Sequence, residues 1–216
     1  GAAAMMLICR PLRCSVCQSH NTPRFRDQPF RLNEGRLIWF GDYADAGKVG
    51  DPITALIAHG DDTLIFGGDT SLWMLRGDPV YGGQIDNISR SYGVVDKGAW
   101  CKGPSGETIF LSRDGLFMIS PNGTEPQSLS RERLPRELMD VDRKTYTILL
   151  AFDQRNRGVH IYLSPNENKD QLHWWFDYQT KGFFPVDLAN NHEPFSILQY
   201  YSPFAEDSCV ILGTRN

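Results

Sequence analysis

No stretch of this 216-residue sequence approaches the roughly 20 consecutive apolar residues that a helix needs to cross a bilayer. No membrane-spanning helix and no membrane partner are therefore expected. The opening GAAAMMLIC is apolar but short, with no basic residue before it and no small-residue cleavage site after it. It does not read as a secretory leader. Cysteine is scarce and odd in number, with three of the five inside Cys9–Cys17. That pattern suits no secreted disulfide framework and points to a reducing compartment. Without a leader, Asn87-Ile88-Ser89 and Asn122-Gly123-Thr124 match the glycosylation sequon by chance. The chain also lacks G-x-S-x-G, a phosphate-binding P-loop, G-x-G-x-x-G and H-E-x-x-H, so no familiar catalytic or nucleotide-binding signature is present. Its net charge of −4 creates no field that would draw nucleic acid to the whole molecule.

What is abundant is punctuation. Twenty Gly, thirteen Pro and 12% aromatic residues suit a β protein with many turns. The stretch GDDTLIFGGDTSLWMLR (60–76) returns as SGETIFLSRDGLFMIS (105–120). Aligned on Thr63 and Thr108, the copies match as Leu64/Ile109, Ile65/Phe110, Phe66/Leu111 and Asp69/Asp114. After a one-residue gap they continue as Leu72/Leu116, Trp73/Phe117, Met74/Met118 and Leu75/Ile119. Each copy is an apolar run, a Gly- and Asp-containing turn and a second apolar run, which is the pattern of a hairpin. Recurrence at about 45 residues falls in the range of four-stranded propeller blades.

The expected fold is therefore all-β: about three and a half propeller-like units of four antiparallel strands, preceded by an arm. The arm, residues 1–35, is extended and basic. Between Cys9 and Arg36, Arg10, Arg13, Arg24, Arg26, Arg31 and Arg36 face only Asp27 and Glu34, a net of about +4 that leaves about −8 for the remainder. Contact with nucleic acid, if made, is expected only there. The domain 36–216 opens with a strand at 36–42 and a Gly- and Asp-rich loop at 43–52. The first unit has strands at 53–59, 63–67, 71–76 and 84–90. The second has 99–102, 107–112, 115–119 and 125–130, and the third 146–153, 158–164, 171–178 and 182–188. Between the second and third, SRERLPRELMDV (130–141) reads as one short inserted helix with Ser130 as N-cap and Leu134, Leu138 and Met139 on one face. Pro135 restricts it to a late start. A fourth unit has strands at 195–201 and 208–212 only, so the domain is expected to be incomplete at its C-terminal end, as in part of a longer protein.

Cys9, Cys14, Cys17 and His20 form C-x4-C-x2-C-x2-H, four soft ligands of the kind that hold tetrahedral zinc. They crowd into twelve residues instead of two separated pairs, so the plainer expectation is cysteine in an arm with no metal and no cofactor. Asp69 and Asp114 are read as turn residues that satisfy backbone donors. They weakly resemble the Asp-box turn of sialidase-type propellers, where that residue is structural. Arg155 and Arg157 in the polar loop DQRNRG (153–158), the cluster HWWFD (173–177) with Trp174 and Trp175, and Tyr200 and Tyr201 are candidate interface residues. On a strand, Trp174 and Phe176 face one way and His173 and Trp175 the other. His59, His160 and His192 have no carboxylate or Cys at a telling interval.

The segments SLWMLRGDP (71–79), IDNIS (85–89), TIFLSRDGLFMI (108–119), PQSLSRERLPREL (126–138), AFDQRNRGVHIYLSP (151–165) and HWWFDYQTKGFFPV (173–186) resemble uncharacterised β-propeller-like structural proteins of bacteriophages and prophages. The resemblance covers roughly residue 35 to the C-terminus, and the cysteine-bearing arm departs from it. It implies a virion component made in the host cytoplasm, of the tail or nozzle or the head–tail connection. It also implies docking with its own copies and neighbouring virion proteins, and it transfers no catalytic residue. The competing expectations are a tail-associated hydrolase or lyase acting on carbohydrate, and a cellular partner-binding propeller.

Overall fold

The computed structural model of the chain describes residues 36–38, 45–130, 133–166, 170–187 and 194–214. The arm, with Cys9, Cys14, Cys17 and His20, lies outside the described residues, as does His192. Strands β1 (Arg36–Ile38) and β2 (Asp45–Lys48) form a two-stranded antiparallel ribbon. The stretch read as a loop at 43–52 therefore contains a strand. Its composition hid this, because main-chain pairing with β1 and a position beside β6 do not require β-favouring side chains.

Three four-stranded antiparallel meanders follow. The first is β3 (Ile53–Gly60), β4 (Thr63–Gly68), β5 (Leu72–Arg76) and β6 (Gln84–Ser89). The second is β7 (Trp100–Lys102), β8 (Thr108–Ser112), β9 (Gly115–Ile119) and β10 (Gln127–Ser128). The third is β11 (Tyr146–Asp153), β12 (Gly158–Pro165), β13 (Leu172–Asp177) and β14 (Phe183–Pro185). A last hairpin pairs β15 (Pro194–Tyr200) with β16 (Cys209–Thr214). The architecture is all-β, with each sheet built from sequence neighbours because the connecting turns are short.

Cross-strand register corrects the repeat alignment. Phe66 pairs with Trp73 and Gly67 with Leu72, while Phe110 pairs with Phe117 and Leu111 with Leu116. Phe66 thus corresponds to Phe110 and Trp73 to Phe117, a constant offset of 44 with no gap. Asp69 and Asp114 both lie in hairpin turns but at adjacent places: Asp69 corresponds to Arg113, and Thr70 to Asp114.

The helix is shorter than expected. It is a single turn, α1 (Arg136–Met139), with Pro135 at the N-cap. Ser130 is buried and does not cap it; its Oγ accepts the Leu116 N–H at 3.2 Å. Leu138 is buried as the pattern required, whereas Met139 stands 47% exposed, because one turn presents only one residue inward.

One apolar core runs through the sheets. It contains Ile57, Ile65, Leu72 and Met74 of the first, Ile109, Phe110, Leu116 and Ile119 of the second, and Ile148, Leu150, Ile161 and Phe176 of the third. Every residue of β8 is buried, so this strand is covered on both faces. Each of its large side chains contributes about 1.5–3 kcal/mol by leaving water. The first strands of successive sheets lie close together, with β11 beside both β7 and β15. Leu150 N–H donates to Gly98 O at 3.0 Å, and Ile148 N–H to Asp96 Oδ2 at 3.0 Å. Gly98 permits this approach, since a Cβ there would sit 2.5 Å from Ile148 O.

The junction of the first and second sheets carries polar bonds as well. Thr54 Oγ1 donates to Val94 O at 2.7 Å. His59 Nδ1 lies 2.8 Å from Thr108 Oγ1, and its Nε2 lies 3.1 Å from Ser120 O. The Lys102 ammonium donates to His59 O at 2.8 Å and to Thr108 Oγ1 at 3.1 Å. Burial and the Lys102 charge hold the His59 pKa below its ordinary value. A neutral ring fits these contacts: Nε2–H donates to Ser120 O and Nδ1 accepts the Thr108 hydroxyl.

Candidate functional site

The side chains of β12 and β13 alternate, and that alternation builds the site. On β12, Val159, Ile161 and Leu163 enter the core, which leaves His160 and Tyr162 on the opposite face. On β13, Phe176 is buried and Trp174 packs against the core, so His173 and Trp175 share the face of His160. Register places His160 opposite Trp175 and Tyr162 opposite His173. Four rings therefore form a block two strands wide. Tyr162 and His173 stack at 4.1 Å between centroids, and His160 lies 4.6 Å from Trp175. Gly158 completes the packing, because a Cβ at that position would collide with the Trp175 ring.

A polar chain runs through this block. His160 Nδ1 lies 2.9 Å from His173 Nε2, and His160 Nε2 lies 3.6 Å from Asp153 Oδ2. With the His160 Nε2 proton directed to the carboxylate, Nδ1 accepts the His173 Nε2 proton. His173 Nδ1 is then a bare lone pair, buried and without a hydrogen-bond partner among the described residues. Burial and the neighbouring His160 push the His173 pKa down to about 4. Burial also lowers His160, although Asp153 opposes it. Tyr162 is pushed up to about 12 by burial and then by the Asp153 charge. Burial pushes Asp153 up, but hydrogen bonds from Asn156, the His160 charge and the Arg155 amide hold it below its usual value.

Asp153 has a second task at the head of the β11–β12 turn. Its Oδ1 accepts the amides of Arg155 at 2.9 Å and Asn156 at 3.1 Å, and its Oδ2 accepts Asn156 Nδ2 at 2.7 Å. The turn ends at Arg157, which has φ +54°. That left-handed conformation suits Gly or Asn and costs an Arg on the order of 1 kcal/mol. Tyr178 N–H donates to Arg157 O at 3.1 Å and ties this turn to the next one. There Asp177 accepts the Gln179 amide at 2.9 Å and the Thr180 hydroxyl at 2.8 Å, and these bonds hold its pKa low.

The two turns border an open cleft of about 600 Å3, lined by Arg155, Asn156, Arg157, His160, Trp175, Asp177, Gln179 and Val186. Three expected interface residues, Arg155, Arg157 and Trp175, meet there. Trp174 does not, because it belongs to the core face. Tyr200, 54% exposed, and Tyr201 lie on and just after β15 instead. The Tyr201 hydroxyl donates to Lys102 O at 2.9 Å, and burial pushes its pKa up to about 12.

Asp69 serves differently from the expected turn brace. Its Oδ1 accepts Arg143 Nη2 at 2.7 Å and Arg113 Nη2 at 3.3 Å, linking its turn to the second sheet and to the segment before β11. The bracing falls to Asp51, which the sequence reading passed over. Its Oδ2 accepts both amides and both hydroxyls of Thr70 and Ser71 at 2.7–3.2 Å. Also missed were His160, His173, Tyr162 and Asp153. The available signal was the spacing of two in His160-x-Tyr162 and His173-x-Trp175, which puts polar rings on the face away from the core.

Among the described residues no group of three or more His, Cys, Asp or Glu is placed to hold a metal. The two histidines of the block spend nitrogen atoms on each other, and among the described residues no Ser or Cys bonds to either ring. This arrangement presents charge, hydrogen bonds and an aromatic surface at the mouth of the cleft. No protein-family model matches the chain, and a search of curated proteins finds no significant relative.

Proposed function

We propose that the three meanders and the β15–β16 hairpin are successive blades of a β-propeller-like domain, and that the protein is a structural component of a bacteriophage particle. In this reading it sits in the tail or nozzle, or at the head–tail connection, and works by docking to copies of itself and to neighbouring virion proteins. The blade assignment is supported by the adjacency of β7, β11 and β15. Gln199 adds to it, since its Nε2 on β15 donates to Phe152 O at 2.8 Å and to Lys102 O at 3.3 Å. The phage assignment rests on the sequence resemblance.

The observation that carries docking is the outer face of the last hairpin. Leu198 pairs with Ile211 and Tyr200 with Cys209, and these side chains are 60%, 47% and 54% exposed for Leu198, Ile211 and Tyr200. A contiguous apolar sheet face of this kind is a docking surface in need of a partner. Light scattering on the purified chain tests it. A defined multimer is expected, and Leu198→Glu with Tyr200→Lys should reduce it to the monomer mass. A wild-type chain that stays monomeric and monodisperse at high concentration overturns the reading.

A further inference from the structure

We infer that the cleft between the Asp153–Gly158 and Asp177–Gly182 turns binds a carboxylated saccharide, with Trp175 beneath the sugar ring and Arg155 and Arg157 on its carboxylate. The inference is independent of the propeller reading, since the cleft belongs to the third sheet alone.

The case starts with the two arginines. Both are exposed, and among the described residues neither has an ion-pair partner. They are held on a turn fixed by three hydrogen bonds to Asp153, so their backbone is ordered before any ligand arrives. Arg157 occupies a left-handed position that Gly or Asn would fill without strain. Strain retained at a cleft is a sign of function at that side chain. A guanidinium fork matches a carboxylate in two parallel hydrogen bonds, which a point charge cannot do.

The remaining lining chooses among anions. Trp175 offers a flat apolar surface, fixed from behind by His160 and Gly158. Asp177, Gln179 and Asn156 surround it with acceptors and further donors. An aromatic platform ringed by both acceptors and donors suits a ring that is apolar on one face and hydroxylated at its edge. The Asp177 carboxylate, kept ionised by its own turn, then accepts sugar hydroxyls. A nucleic-acid strand fits less well, because its repeated phosphates would meet Asp177 and the acidic remainder of the chain. An extended peptide is recognised mainly along a sheet edge, whereas this lining is side chains of a sheet face and two turns.

The test is amide and indole NMR of the whole chain titrated with trigalacturonate, using maltotriose as the neutral control. Saturable shifts at the Trp175 indole and the Arg155 and Arg157 amides are expected with the acidic sugar only. Arg155→Gln combined with Arg157→Gly should weaken binding by at least about tenfold. That variant also relieves the left-handed strain, so the melting temperature should hold or rise, which separates lost binding from lost folding. Absence of saturable shifts, equal shifts with maltotriose, or unchanged affinity in the variant overturns the inference. Tighter binding at these residues by an oligonucleotide or an acidic peptide does so too.

Discussion

Strands β8 (TIFLS) and β15 (PFSILQY) are both apolar and both lie in antiparallel hairpins, yet all of β8 is buried while Leu198 and Tyr200 of β15 stand in solvent. The contrast does not come from hydrophobicity. Strand β8 has pairing partners on both sides and no exposed residue, whereas β15 pairs with β16 alone and lies close to β11 and β12. Burial is thus a property of neighbours. The second sheet carries stability, and the last hairpin carries surface available for contact.

The largest effect that separates the two regions is a cavity. Phe110→Ala, at a fully buried ring stacked 5.7 Å from Phe117, should cost about 3–5 kcal/mol, while Leu198→Ala should cost under about 1 kcal/mol. Chemical denaturation of both variants checks this, and similar losses would erase the contrast. Next comes the turn brace. Asp51→Ala removes four hydrogen bonds to a carboxylate and should cost about 1.5–3 kcal/mol, against about 0.5 kcal/mol or less for the exposed Asp114→Ala.

A smaller effect appears on acidification. His59, His160 and His173 all have folded pKa values below the ordinary 6.5, and His173 reaches about 4. The unfolded chain therefore takes up protons first as pH falls from about 6.5 toward 4, and the folded state loses stability across that window. Thermal melts between pH 7 and 5 should show a falling midpoint, and His173→Gln should flatten the slope. Hydrogen exchange should locate the early opening in the third sheet, since the β15–β16 hairpin contains no histidine among its described residues. The smallest expected change is Asp69→Asn, which should weaken the contacts to Arg143 and Arg113 by about 1 kcal/mol or less, because both cations are partly solvated.

Much of this was legible in the sequence. Runs rich in β-branched and aromatic residues, cut by Gly and Asp turns, placed nearly every strand within a residue or two. The alternation of HWWF separated Trp175 from Trp174 in advance. The β2 strand was not legible, because its residues DAGK carry no β-favouring side chain and the main-chain pairing with β1 leaves no mark in the local sequence. Asp51 was opaque for a related reason: the amides it accepts lie 19 and 20 residues away, and no local spacing announces them.

The sequence by itself determined the hairpins, since strand period and turn chemistry act over a few residues. Only the tertiary structure decided the register of the repeat, the partners of Asp69, the pairing of His160 with His173, and the meeting of Arg155, Arg157 and Trp175 at one cleft. Those features depend on which strand lies opposite which, and cross-strand contact joins residues that sequence distance keeps apart.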